Sequence, residues 1–369
     1  MLVELNIKNI KMKELVNKLE RQDYTMPTLL QYENVAWYEK GKVRILDRRI
    51  YPTRVEFVEC ETHQAVAQAI TDMVTQSAGP YTAAGMGMAL AAKECHALTP
   101  TEQIAYLKQA SYTIANARPT TANRMTLITE KCVDVAQKAL ETGEDPTEAI
   151  KQNTIDSLNR RYYTMAQVAK YLIAKIPDNG TVLTQCFGET IIGMLLREAL
   201  EQQKTLRFFC AETRPYLQGA RLTASCCAEM GFDTTVISDN MIAYLMEHET
   251  IDLFTSAADT IAQDGYIANK VGTYQIAILA QRFGIPYFVT GIPDTDKTSH
   301  EKIKIEMRDP EQVMELNGIK HTLEGVKALY PSFDITPPEL IGAIVTDRGI
   351  FSPYDLKRYI TEQPENNFY

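Results

Sequence analysis

The stretch Asp178-Asn179-Gly180-Thr181-Val182-Leu183-Thr184-Gln185-Cys186 decides the fold reading. A turn opens it, a short apolar and β-branched run follows, and a helical pattern over residues 190–203 leads to the next apolar run at 206–210. Short apolar runs bounded by turn residues and separated by helical patterns predict parallel strands with crossover helices. The rhythm continues with a helix over 217–230, a strand over 233–238, a helix over 240–247, a strand over 253–257, a helix over 270–283 and a strand over 287–290. Residues 333–349 add Phe333-Asp334, a helix start at Pro337-Pro338-Glu339-Leu340 and a strand-like run at 343–346. Residues 161–369 are therefore expected to form an α/β domain with a Rossmann-like, doubly wound parallel sheet.

Residues 1–160 have a different texture. A strand and a helix are expected over 1–20, then extended pieces at 34–38, 43–47 and 54–60, with a hairpin turn at Gly41-Lys42. From His63 the spacing of Val66, Ala69, Ile70 and Met73 is helical. Helical character continues over 83–94, 101–117 and 125–142, breaks at Gly143-Glu144-Asp145-Pro146, and resumes to residue 173. The expectation is a smaller, mainly helical domain carrying a small antiparallel sheet. Gly85-Met86-Gly87-Met88 has the look of a dinucleotide loop, but it lacks the third glycine and a preceding strand. It reads as close helix packing, which excludes a nicotinamide site there.

A chain of 369 residues exceeds one compact core, so two domains are expected. The net charge of -9, with no long basic run, argues against nucleic acid as the partner. The seven cysteines have no CxxC spacing, which reads as a reduced, cytoplasmic set of thiols. No His/Cys cluster has zinc spacing, so no metal is expected. The amphipathic, mixed-charge N-terminus reads as neither signal peptide nor membrane span.

Candidate chemistry sits at predicted strand ends, where ligands bind in open α/β sheets. Glu212-Thr213-Arg214-Pro215-Tyr216-Leu217-Gln218-Gly219-Ala220-Arg221 follows the second strand, and arginine forks suit phosphate oxygens. Cys186 ends the first strand near a helix start, a place that depresses a thiol pKa; Cys210 is its rival on position. Asp259 follows the fourth strand in an apolar run, where a carboxyl stays protonated near neutral pH. A turn-capping role is the alternative for it, and Asp239 and Asp264 are its competitors. Asn269-Lys270 is read as opening a helix, a natural anion site. Arg118 stands where Pro119 stops a helix, and a basic residue completing a helix C-terminus is the alternative there.

Together these segments resemble the methylthioribose-1-phosphate isomerase family, kin of the regulatory subunits of translation initiation factor 2B. The resemblance runs from Val35 to Pro353 and rests on Ala117-Arg118-Pro119-Thr120, Leu183-Thr184-Gln185-Cys186, residues 212–223, Ala258-Asp259, residues 267–274, Gly284-Ile285-Pro286-Tyr287, residues 305–310 and residues 333–341. It implies that Cys186 and Asp259 are the catalytic pair, that Arg118, Gln218, Asn269, Lys270, Ser77 and Ala78 hold the substrate, and that no cofactor takes part. The implied reaction is the aldose–ketose isomerisation of a 5-modified ribose 1-phosphate, S-methyl-5-thioribose 1-phosphate first, in methionine salvage. The implied assembly is a cytoplasmic homodimer that does not engage membranes. Neighbouring readings are a 5-deoxyribose 1-phosphate isomerase and a non-catalytic regulatory sensor of phosphorylated ligands. This chain departs from the family in three places. Gln76-Ser77-Ala78 stands where the family has Arg-Gly-Ala in its phosphate loop, Phe187 replaces an Asn, and Thr260 replaces an Arg.

Overall fold

A computed structural model describes residues 20–118 and 122–361. They fall into two compact units that divide between Thr164 and Met165. The strand and helix expected over 1–20 lie outside the described residues, Glu20 apart.

The first unit carries an antiparallel sheet of β1 (Trp37–Glu39), β2 (Lys42–Leu46) and β3 (Phe57–Cys60). Lys40 and Gly41 both have positive φ, 50° and 78°, as a two-residue hairpin loop with the strand twist requires. Residues 34 and 35, expected extended, instead belong to a short helix, Tyr32–Val35. The helices His63–Thr71, Gly79–Glu94, Pro100–Ala115, Ala122–Thr142 and Pro146–Ile173 follow, the last running across the division. Thr62 caps the first of these, and Thr99 with Glu102 forms a capping box on the third. The helix Gly79–Glu94 is buried along most of its length, on a core that includes Val66, Met86, Met88, Leu107 and Ile114. A Cβ at Gly85 would lie 2.4 Å from Thr154 Oγ1, and one at Gly87 2.9 Å from Val66 Cγ1. Both glycines therefore serve close helix packing.

The second unit contains β4 (Thr181–Gln185), β5 (Arg207–Ala211), β6 (Asp233–Ile237), β7 (Leu253–Ala257), β8 (Thr260–Ile261), β9 (Ile267–Lys270), β10 (Tyr287–Thr290), β11 (Glu315–Leu316), β12 (Ile319–Lys320), β13 (Phe333–Thr336), β14 (Ala343–Thr346) and β15 (Gly349–Phe351). Its main sheet has seven strands in the order β15-β14-β10-β7-β4-β5-β6. All neighbours pair parallel except β14 with β15. Numbered along the chain, the six parallel strands run 3-2-1-4-5-6, so the order reverses between β4 and β7. Such a reversal opens a crevice beyond the strand ends, where ligands bind in sheets of this kind. The core around it includes Leu183, Phe209, Phe254, Tyr287, Val289 and Ile344.

A second, antiparallel sheet of this unit, ordered β13-β9-β8, has no counterpart in the sequence reading. It corrects the helix expected from Lys270. Residues Ile267–Lys270 pair with Phe333–Thr336, Gly272 turns with φ 103°, and the helix is Thr273–Phe283. The helix expected from Leu217 starts later, as a π-turn over Gly219–Thr223 continued by Ala224–Glu229. Among the described residues, no helix is long and apolar enough to cross a membrane.

Candidate active site

Cys186 follows the last residue of β4, and Asp259 stands two residues beyond the end of β7, its parallel neighbour. The two side chains flank the reversal in strand order, close enough for their charges to interact. Cys186 sits in the left-handed region, with φ 63°. Its N–H donates to Thr213 Oγ1 at 3.0 Å, and its carbonyl accepts from the Thr223 hydroxyl. Asp239 holds Thr213 in turn, accepting the N–H groups of Thr213 and Arg214 at 2.8 and 2.7 Å. A Cβ at Gly219 would lie 1.8 Å from the Ala211 carbonyl, so only glycine lets this segment close over the strand end.

The rival residues have partners of their own. Asp239 is a loop clamp, and Asp264 is bound to the His300 N–H and ring at 2.9 and 2.8 Å. Cys210 is fully buried beside Cys227, whereas Cys186 is the one cysteine with partial exposure. The arginines of the 212–223 stretch are a correction. Arg214 donates to the carbonyls of Val313 and Glu315, and Arg221 to that of Tyr216, so both secure backbone.

The thiol of Cys186 also departs from expectation. Burial pushes it up to about 11, while Lys270 and Arg308 pull it down and Asp259 pushes it further up. Desolvation of the thiolate outweighs the strand-end position. Asp259, expected in apolar surroundings, is exposed; of the apolar residues beside it, Ile261 and Ala262 turn inward.

Lys270 and Asn269 end β9 and are buried. Asn269 Nδ2 donates to Thr273 Oγ1 at 3.0 Å, and the Thr273 hydroxyl donates to Gln185 Oε1 at 2.9 Å. Gln185 also donates from Nε2 to the Val271 carbonyl at 3.2 Å, which ties β4 to the turn after Lys270. Lys270 Nζ stands 5.0 Å from the centre of the Phe333 ring. Asp334 caps the following helix by accepting from the N–H groups of Gly272 and Tyr274 at 2.6 and 3.1 Å. Burial raises its carboxyl to about 6 against the pull of those donors. Gln218 is buried, and its Oε1 has no hydrogen-bond partner.

Ser77, Ala78 and Arg118 belong to the first unit. Ser77 has φ 57°, and Ala78 is the N-cap of Gly79–Glu94, with no side chain capping that helix. Arg118 is partly buried just past the helix Pro100–Ala115. Position 76 is Gln, but a guanidinium reaches this loop from elsewhere: the fully buried Arg48 donates from Nη1 to the Gln76 carbonyl at 2.7 Å. A Cβ on Gly79 would lie 3.0 Å from that Nη1 and 1.9 Å from Thr75 Oγ1, so glycine makes the room. Buried Arg161 donates to Thr82 Oγ1 at 3.1 Å on the same first turn. Cations at the positive end of a 16-residue helix form a setting that favours an anion.

Sequence reasoning missed Thr213, Thr223, Gln185 and Thr273, which position the strand ends, and Arg48, Arg308 and Tyr330. Gln185, Thr213, Thr223, Thr273 and Arg308 all lie within the family-like runs, whereas Arg48 and Tyr330 lie outside them and had no signal.

Residues 76–353 match the model of the initiation factor 2 subunit family, IF-2B. The chain belongs to that family. It is 35% identical over 332 residues to a methylthioribose-1-phosphate isomerase of Chloroflexus aurantiacus, covering 86% of this chain and 95% of the relative. The crystal structure of 5-methylthioribose 1-phosphate isomerase from Pyrococcus horikoshii OT3 superposes with a TM-score of 0.78 at 28% identity, over 95% of this chain and 98% of the other. The translation initiation factor eIF-2B subunit delta from A. fulgidus superposes with a TM-score of 0.76 at 27% identity, over 88% and 97% of the two chains.

Proposed function

We propose that this protein is an aldose–ketose isomerase that converts a 5-modified ribose 1-phosphate, S-methyl-5-thioribose 1-phosphate first, to the ribulose 1-phosphate. The observation that carries the reading is the pairing of Cys186 with Asp259 across the reversal between β4 and β7. The names of the enzyme relatives support it. Likeness to an initiation factor subunit shows that the family's shape alone does not imply catalysis. A thiol and a carboxyl flanking one crevice give the enzyme reading its chemical reason.

The phosphate on the anomeric oxygen blocks ordinary opening to a free aldehyde, so an acid must protonate the ring oxygen as the C1–O bond breaks. We assign this to Asp259, which stands exposed two residues beyond the end of β7. One hydrogen then passes from C2 to C1. In one route a Cys186 thiolate removes the C2 proton and an enol intermediate is reprotonated at C1. In the other a hydride shifts from C2 to C1 while Cys186 polarises the C2 hydroxyl. Both end with the C2 oxygen deprotonated as the ketone carbonyl, and both balance without an external oxidant. Lys270 and Arg308 stabilise negative charge at the sulfur. Substrate-holding roles follow for Gln218, Asn269 and Lys270 in this Rossmann-like catalytic domain, and for Arg118, Ser77 and Ala78 in the first unit.

Buried Phe187, with Gln76 and Thr260, replaces polar or charged family residues, which suits an uncharged 5-substituent better than a second phosphate. The test is competition among 5-methylthioribose 1-phosphate, 5-deoxyribose 1-phosphate and ribose 1,5-bisphosphate, followed by proton NMR. Preference for either of the first two is expected; preference for the bisphosphate overturns the substrate assignment. The reading includes a cytoplasmic homodimer that binds no nucleic acid, and sedimentation equilibrium checks the dimer.

A further inference from the structure

The loop 306–308 pairs antiparallel with 330–332. The Arg308 N–H donates to the Tyr330 carbonyl at 2.9 Å, the Ser332 N–H donates to the Glu306 carbonyl at 2.8 Å, and Met307 bridges Pro331. The Val271 N–H donates to the Ser332 carbonyl at 3.2 Å, and Phe333 pairs with Lys270, which fixes this ladder beside the end of β9. Arg308 and Tyr330 thus stand next to each other, each close enough to Cys186 for charge to be felt. Tyr216 faces the same guanidinium, its ring centre 5.9 Å from Cζ.

This wall is polar, buried and incompletely bonded. The Arg308 side chain is 8% exposed and Tyr330 is 2% exposed. Glu306 Oε1 accepts from Arg308 Nε at 3.3 Å and the Arg308 guanidinium interacts with the Tyr330 hydroxyl, yet neither Arg308 Nη1 nor that hydroxyl has a partner at full hydrogen-bond geometry; on the loop after β5, Gln218 Oε1 is also buried without a partner. Buried polar atoms are nearly always paired in folded proteins, and two adjacent unpaired donors point to a ligand that pairs them. The donors match an oxygen-rich, partly anionic molecule, and the unpaired Gln218 acceptor matches a hydroxyl.

We propose that Arg308 and Tyr330 form an oxyanion-binding pair beside Cys186, in which Arg308 Nη1 and the Tyr330 hydroxyl donate to the sugar oxygen on C2 as it loses its proton and becomes the ketone carbonyl. This rests on the isomerase reading above and adds two residues to it. Glu306 is a positioning residue that sets the guanidinium plane.

The test compares Arg308→Gln, Arg308→Lys and Tyr330→Phe with the wild type on 5-methylthioribose 1-phosphate, with thermal melts as the folding control. Arg308→Gln is expected to lower kcat by about 10²–10³-fold, the range for a lost oxyanion donor, with a much smaller change in KM. Tyr330→Phe is expected to lower kcat by about tenfold while remaining folded. Added guanidinium ion is expected to restore part of the Arg308→Gln loss, and Arg308→Lys to lie between. The pH dependence of Cys186 alkylation is expected to move to higher pH in Arg308→Gln, a readout that needs no substrate. An active wild type with both Arg308→Gln and Tyr330→Phe within threefold of it in kcat overturns this proposal alone. A wild type inactive on every pentose 1-phosphate overturns the isomerase reading and this proposal with it.

Discussion

The backbone N–H of Cys186 donates to the side chain of Thr213 at 3.0 Å, so a residue on the loop after β5 holds the left-handed turn that ends β4. Thr213 is itself 1% exposed, and its hydroxyl donates to the Ala211 carbonyl at 3.0 Å. Thr213→Val keeps the shape and removes both bonds. The expected cost is about 1–3 kcal/mol of stability, the range for a buried group left unpaired, together with a fall in kcat as the thiol loses its fixed direction. Thr213→Ser is expected to retain most of both. Chemical denaturation and steady-state kinetics on the two variants check this; a Thr213→Val enzyme of native stability and turnover would remove the bond from the account.

Asp334 sets a pH dependence with a definite sign. Its folded-state pKa is raised from 3.8 to about 6, so between those values the folded chain holds a proton that the unfolded chain gives up. Its contribution is most favourable below the lower value and is lost as pH rises through the upper one, to a total of about 3 kcal/mol. Carbon-13 NMR of the carboxyl is expected to show a midpoint close to 6, and Asp334→Asn to flatten the stability slope between pH 4 and 6. A midpoint at the ordinary Asp value would remove burial as the dominant influence.

Arg48 is expected to serve the loop in which Gln76 stands where the family has an arginine. Arg48→Met should weaken phosphosugar binding by roughly 1.5–3 kcal/mol, the scale of a charge-assisted hydrogen bond to an anion. Calorimetric titration, with circular dichroism to verify folding, measures it. Unchanged affinity in a folded variant would leave Arg48 as a brace for the Gln76 carbonyl and nothing more.

What the sequence disclosed follows from the range of the forces involved. The strands β4 and β7 are apolar on both sides because the sheet buries them, so Val182-Leu183 and Leu253-Phe254 announce themselves, and with them the positions of Cys186 and Asp259 at their ends. The strand β9 was hidden because its pairing with β13 joins residues more than sixty positions apart, while Asn269 and Gly272 look locally like a helix start. Arg214 and Arg221 look locally like phosphate ligands, but guanidiniums suit backbone carbonyls as well as phosphate, and the carbonyls that take up Arg214 come from the distant residues Val313 and Glu315. Arg48, Arg308 and Tyr330 gain their meaning only from neighbours that folding brings to them. The thiol pKa is not legible from strand-end position, because desolvation is a property of the whole surround.

The central claim is that Cys186 and Asp259 drive the isomerisation of a pentose 1-phosphate. The most direct measurement is a carbon-13 NMR time course on 5-methylthioribose 1-phosphate labelled at C1 and C2, with wild type, Cys186→Ser and Asp259→Asn at equal concentration. The account predicts that the wild type converts the anomeric CH signal to a CH2 signal and the C2 signal to a ketone. It predicts that each variant, folded as judged by its melt, is slower by about 10²–10⁴-fold, the range for a lost acid or base. An unchanged wild-type spectrum, or a variant that turns over at the native rate, would contradict it.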